Sequence, residues 1–246
     1  LTIDAYRRIV AVGKLRREEL ATVASEEAAA GHRTMGHVAL HYGRKDEAAL
    51  AARLLSVIGY VETQALPLPD GSTFYRFVVD PRHQARGDGI VFLSLLPPAQ
   101  AAVVGAAREA LGFGTDREHP AIAGLRAAID ADPEYTFHLG VLIDSLEELE
   151  RVVEDLQKLN ASDPAFKGRL KITMNRARRG DEDVDTRLDN SAIFGGVERY
   201  CYGRNGVQAF IETDILVSGP LADSMVLELD YVFPGKASHI LSVTEL

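Results

Sequence analysis

Two stretches of this chain repeat one pattern, a short apolar strand followed by an amphipathic helix, with a histidine near the start of each strand. The clearer copy runs from Tyr135 to Lys158. Tyr135 to Ile143 is short, apolar and rich in aromatic and β-branched residues, which predicts a buried strand. Leu146, Leu149, Val153 and Leu156 then recur at helical spacing with charge between them. Ser145 followed three residues later by Glu148 is a capping box and fixes where the helix starts. The earlier copy is Gly36 to Tyr42 as a strand and Lys45 to Ile58 as a helix, with Leu50, Leu54, Leu55 and Ile58 on its apolar side. His37 and His138 occupy matching places. Such self-similarity is the mark of an internal duplication.

The surrounding chain supports two equivalent halves. After the first helix, Tyr60 to Leu68 is extended and Pro69-Asp70-Gly71 is a turn. Ser72 to Val79 follows as a hairpin partner, and Gly89 to Leu96 is a strand stopped by Pro97-Pro98. The second half reads the same way, with strands at 169–176, 196–202 and 207–214, a surface loop at 178–190 and a turn at Asn205-Gly206. The fold class is therefore α+β, built from two βαβββ repeats. Residues 1–33 form an N-terminal helical segment, 34–98 the first repeat, 99–133 a helical connector and 134–214 the second repeat. Residues 215–246 add C-terminal strands, at 225–233 and 239–243, with no counterpart in the first half. All five segments are expected to form one compact domain, since 246 residues can bury a sizeable core.

Charge and cysteine content narrow the chemistry. A net charge of −9 argues against phosphate-backbone binding, so no nucleic-acid partner is expected. The run Arg176-Ala177-Arg178-Arg179 leads straight into Asp181-Glu182-Asp183 and reads as a solvated loop. The single cysteine, Cys201, rules out an intrachain disulfide framework and fits a reducing, cytoplasmic compartment. No apolar run reaches the ~20 residues that cross a bilayer, so no membrane partner is expected. Phosphate-cradling glycine loops, nucleophile elbows and cysteine pairs for zinc are missing from the sequence.

Residues two apart on a strand share a face. His37, Ala39 and His41 point together, as do His138, Gly140 and Leu142, and Gln208, Phe210 and Glu212. A buried, unpartnered Glu212 costs several kcal/mol or is forced neutral. Two neutral imidazoles and a carboxylate around a divalent metal remove that cost, and this is the ligand type of non-haem Fe(II). Glu228, with Asp230 on the same face, and His239 are the rival third ligands. His41 lies about 13 Å along the strand from His37, beyond the same metal, and is a candidate proton-transfer or substrate-orienting residue. Tyr200 and Tyr202 are candidate hydrogen-bond donors to a substrate oxyanion. A packing role is open for each of these three.

These features resemble the vicinal oxygen chelate superfamily of glyoxalases, extradiol dioxygenases, epimerases and drug-binding resistance proteins. Gly36-His37-Val38-Ala39-Leu40 and Phe137-His138-Leu139-Gly140-Val141 are similar to its two metal-binding first strands. Phe210-Ile211-Glu212-Thr213 is similar to its carboxylate-bearing strand. The resemblance implies two half-open cups of curled mixed sheet around a metal held by His37, His138 and Glu212. Ser94 and Leu95 stand where a fourth ligand is found in the glyoxalases. Three ligands imply a mononuclear Fe(II) dioxygenase, with O2 and a catechol or 2-oxo acid bound through two adjacent oxygens. Two alternatives stay open. One is an isomerase, epimerase or lyase using Mn(II), Zn(II) or Ni(II). The other is a metal-free small-molecule-binding protein. The C-terminal strands are expected to close the cup or to form a homodimer face.

Overall fold

The computed structural model describes residues 35–82, 87–201, 205–219 and 221–236. The expected N-terminal helix, the strand at 239–243, Tyr202 and His239 lie outside the described residues. In chain order, β1 is His37–Tyr42, α1 Ala48–Val57, β2 Val61–Pro67, β3 Thr73–Val78 and β4 Ile90–Leu95. The connector holds α2 (Pro98–Ala110) and α3 (Pro120–Ala131). Between them Gly112 takes a positive φ of 60°, where a Cβ would stand 2.5 Å from the Arg117 carbonyl oxygen. Only glycine allows the chain to turn there. The second half has β5 (His138–Leu142), α4 (Leu146–Ser162), β6 (Leu170–Asn175), α5 (Glu182–Asp189), β7 (Gly206–Thr213), β8 (Leu216–Val217) and β9 (Met225–Val232).

Strand order makes the duplication explicit. The first sheet runs β2-β3-β4-β1-β8 and the second β5-β9-β7-β6. In each module the histidine-bearing first strand lies parallel to the last strand: β1 beside β4, β5 beside β9. The remaining module pairs are antiparallel. This is a paired βαβββ architecture.

Two expectations are corrected. Of the strand expected at 196–202, residues 196–201 form no ladder strand; a single bridge joins Tyr200 to Arg176. Residues 206–213 therefore supply the module's third strand, and β9 supplies the fourth. The stretch at 225–232 thus belongs inside the second repeat. Alternation in this stretch mimics a strand, but it begins at the pair Gly195-Gly196 and meets the chain beyond the end of β6 only at that bridge. The loop expected at 178–190 contains α5. Asp181 caps it, accepting from the Val184 amide, and acidic residues fill its first turn, where the helix dipole favours them. Val184 and Leu188, four apart, are its buried stripe.

One apolar face of each sheet packs against its helix, and the two faces share a core. Leu40, Tyr42, Phe77, Val91 and Leu93 meet Leu54 and Leu55 in the first half. Ala209, Ile211, Leu227 and Leu229 meet Leu149, Val153 and Leu156 in the second. Helices α1 and α4 touch. Strand β8, from the second half, hydrogen-bonds to β1. The Arg169 guanidinium spans the halves to the buried Glu47 carboxylate at 2.6 Å. Burying the outward sides of both modules this way leaves the other face of each sheet free for chemistry.

α5 also anchors a buried cation. Arg176 is 1% exposed, and its guanidinium meets Asp189 at 2.9 Å. Arg179 adds a second contact to Asp189, and the two guanidinium groups, Arg179 first, hold that carboxyl at about 2. Its folded-state value lies below the unfolded value of about 3.9. Its contribution to stability is therefore present above the unfolded value and lost as pH falls towards 2. Urea midpoints measured from pH 4 down to 2 should fall more steeply for the wild type than for Asp189→Asn. Parallel pH profiles would show that the ion pair adds nothing.

Candidate metal centre

The face of the second sheet turned away from α4 carries a row of polar side chains. Directly paired residues point to one side. Register therefore places Gly140, Glu228, Phe210 and Thr173 together, and beside them Leu142, Asp230, Gln208 and Asn175. His138 lies at the start of the same face of β5, opposite Val226. Glu228 and Gln208 are 5% and 2% exposed, so these groups are removed from bulk water.

Glu134, His138 and Glu228 form the cluster. One ligand atom from each lies within 4.8 Å of the others. His138 Nε2 stands 3.0 Å from Glu228 Oε2 and 3.9 Å from Glu134 Oε2. His138 Nδ1 donates to the Thr136 carbonyl at 2.9 Å, because a carbonyl can only accept. That bond fixes the ring and leaves Nε2 turned towards the carboxylates, the arrangement in which a histidine ligates metal. Phe210 packs edge-on against the imidazole at 6.2 Å and is fully buried. Gly140 lies opposite Glu228 in the ladder and puts no side chain over the carboxylates. A Cβ there would stand 3.5 Å from Glu228 Oε2 and 3.6 Å from Asp230 Oδ2.

The donor chemistry fits a divalent cation. Glu134 and Glu228 turn acceptor oxygens to one imidazole, and next to Glu228 on β9 Asp230 Oδ1 is buried without a hydrogen-bond partner. Burial first, and the Glu134 charge second, push the Glu228 carboxyl above the usual carboxylate range. Burial and then Glu228 do the same to Asp230. A cation offsets both effects at once.

The residues singled out from sequence are placed as follows. His138 is in the cluster, and so is Glu228, the alternative third ligand. Glu212 pairs with Lys171 at 3.3 Å and accepts from the Ser224 hydroxyl at 3.4 Å. His37 lies on the first sheet, its ring 5.3 Å from Phe92 and tilted against it. Register explains the asymmetry. With His37 matched to His138, Phe92 in β4 occupies the place of Glu228 in β9, and Ser94 that of Asp230. His41 meets Ser94 at 3.2 Å, and burial lowers its pKa. Tyr200 is 42% exposed, at its bridge with Arg176. Glu134 was missed. It sits in a 3-10 turn whose cap, Asp132, accepts from the Glu134 amide at 3.1 Å. Its one sequence signal is its place four residues before His138.

A cleft of about 600 Å³ reaches Thr136, two residues before His138, but Glu134, His138 and Glu228 do not line it. Ile122, Leu125 and Ile129 of α3 form its apolar wall, with Phe137, Lys171 and Glu212 opposite. Among the described residues no helix is long and apolar enough to cross a membrane.

No protein-family model matches the chain, and no curated protein matches it. Solved structures do. A possible glyoxalase from Bacillus cereus is 10% identical with a TM-score of 0.33, covering 80% of this chain and 98% of its own. A glyoxalase/bleomycin resistance protein/dioxygenase family enzyme from Burkholderia phytofirmans PsJN is 11% identical with a TM-score of 0.32, covering 82% and 100%. A glyoxalase I mutant from Zea mays is 11% identical with a TM-score of 0.29, covering 84% and 71%. The strand order and register of the chain itself carry the fold; these likenesses supply no residue correspondence.

Proposed function

We propose that this protein is a metal-dependent enzyme of the vicinal oxygen chelate type, with His138, Glu228 and Glu134 holding a divalent cation. The observation that carries the reading is the His138 ring, pinned through Nδ1 with Nε2 facing two carboxylates on a half-buried sheet face. Imidazole with carboxylates suits Fe(II) and Mn(II), and we favour Fe(II). When bound, the cation supplies Lewis-acid polarisation of two adjacent substrate oxygens and, as Fe(II), a place for O2. The chain's own residues do the rest. Phe210 closes the floor of the site to water, Gly140 leaves room for the substrate's oxygens, and the wall of Ile122, Leu125 and Phe137 receives its apolar part. The substrate class is a catechol or a 2-oxo acid, and the reaction is dioxygenation.

An enediolate isomerase or lyase is the second reading. The crowding of Glu134 and Asp230 beside Glu228 favours it, since a carboxylate not engaged as a ligand can take a proton from carbon. Anaerobic reconstitution with Fe(II), then addition of oxygen with a catechol or 2-oxo acid, should give O2 uptake. Full activity with Zn(II) or without oxygen excludes dioxygenation. Solvent-proton exchange into substrate under anaerobic conditions would establish the second reading. Retention of less than about a tenth of an equivalent of metal would exclude both.

A further inference from the structure

We infer that Gln208, oriented by Asn175 and Arg199, is a positioning residue that presets Glu134 and Glu228 for the cation; this rests on the metal reading above. One amide nitrogen carries the claim. Gln208 Nε2 donates to Glu134 Oε1 at 2.7 Å and to Glu228 Oε1 at 2.6 Å. Both carboxylates thus turn one oxygen to the same NH2 group and the other, Oε2, towards His138 Nε2. The two acids come from distant parts of the chain, a 3-10 turn and a central strand, and Gln208 bridges them from β7.

The direction of the amide is not free. Arg199 has donors only. Its Nε donates to Asn175 Oδ1 at 3.0 Å, and its Nη2 donates to the Ala131 carbonyl at 2.9 Å. Asn175 must therefore turn its nitrogen the other way, where Nδ2 donates to Gln208 Oε1 at 3.2 Å. That contact in turn faces the Gln208 nitrogen towards the carboxylates. A guanidinium at the rim so fixes two successive buried amides, and the chain of bonds runs donor to acceptor without a break. Asn175 is 3% and Gln208 2% exposed, so water competes weakly for these bonds. Without the amide, two like charges have no shared donor to hold them together before the cation arrives. Outer hydrogen-bond partners of metal ligands are worth roughly 10–100-fold in metal affinity.

The test is titration of the purified full chain with Co(II), read by its visible d–d absorption, and then with Mn(II), read by the loss of its free-ion electron spin resonance signal. Gln208→Met keeps the length of the side chain and removes the donor. With a wild-type-like circular dichroism spectrum, it should bind Co(II) roughly 10–100-fold more weakly and show an altered d–d band. Arg199→Met leaves Gln208 in place and releases its orientation together with the bond to the Ala131 carbonyl. It should weaken Co(II) binding on the order of threefold and shift the band in the same sense. If Gln208→Met does not fold, Arg199→Met decides. Wild-type affinity and an unchanged band in the folded variants would overturn the positioning role while leaving the metal site intact. Failure of the wild type to bind either ion would overturn the metal site and this inference with it.

Discussion

Replacing Glu228 by glutamine is expected to lower divalent-metal affinity by more than roughly a hundredfold while raising the melting temperature of the metal-free protein. The two effects have one cause. Glu228 lies 5% exposed beside Glu134 and Asp230, and burial together with the Glu134 charge opposes its ionisation. Without a cation, that charge is a cost borne by the folded state, and glutamine removes it while keeping the shape. The melting temperature should rise by roughly 2–4 °C for each kcal/mol so relieved. With a cation, the same charge is the ligand, and its loss leaves His138 and Glu134 short of a donor. Calorimetric titration with Mn(II) and thermal melts with and without metal read both signs. A structural ion pair between His138 and Glu228 predicts the reverse, a less stable protein with unchanged metal binding. That result would falsify the site.

The second large effect is on stability alone. Leu149→Ala in α4 should cost about 2–5 kcal/mol, because the side chain is fully buried in the core shared by both modules. The loss exceeds simple transfer of the removed atoms, since a close-packed core only partly collapses around the space left. The metal cluster occupies the other face of the second sheet, so Co(II) affinity below the melting transition should match that of the wild type. Urea denaturation and Co(II) titration of one preparation separate the two quantities. A stability loss under about 1 kcal/mol would mean that α4 is not bound into a tight core. A parallel loss of affinity would mean that the two faces of the sheet are not independent.

Local signals carried most of the elements. The Ser145 cap and the spacing of Leu146, Leu149, Val153 and Leu156 are short-range physics. The structure has α4 start at Leu146, with Ser145 accepting from the Glu148 amide at 3.2 Å. The repeated unit around His37 and His138 announced two modules, because the strand-helix pattern needs no distant partner to be seen. α5 was harder to read. Eight residues with five charges conceal a stripe of only two apolar side chains, Val184 and Leu188. The burial that sustains this helix comes from elements far away in sequence.

The cluster itself shows where local reading stops. A strand's alternation tells which residues share a face, but not which strand lies beside it. Glu212 and Glu228 both sit in apolar runs that read as strands, and periodicity treats them alike. The parallel pairing of β9 with β5 puts Glu228 opposite Gly140, two residues from His138 on the same face, and leaves Glu212 two strands away beside Lys171. Sequence by itself determined that the chain repeats a βαβββ unit and that a histidine opens each copy, because both are written in contiguous residues. Tertiary structure alone decided that Glu228, and not Glu212, meets His138. Glu134 reaches His138 locally, from the turn that leads into β5, whereas Gln208 and Glu228 are brought to it by sheet order and register, and hydrogen bonds between strands are made only once the chain has closed on itself.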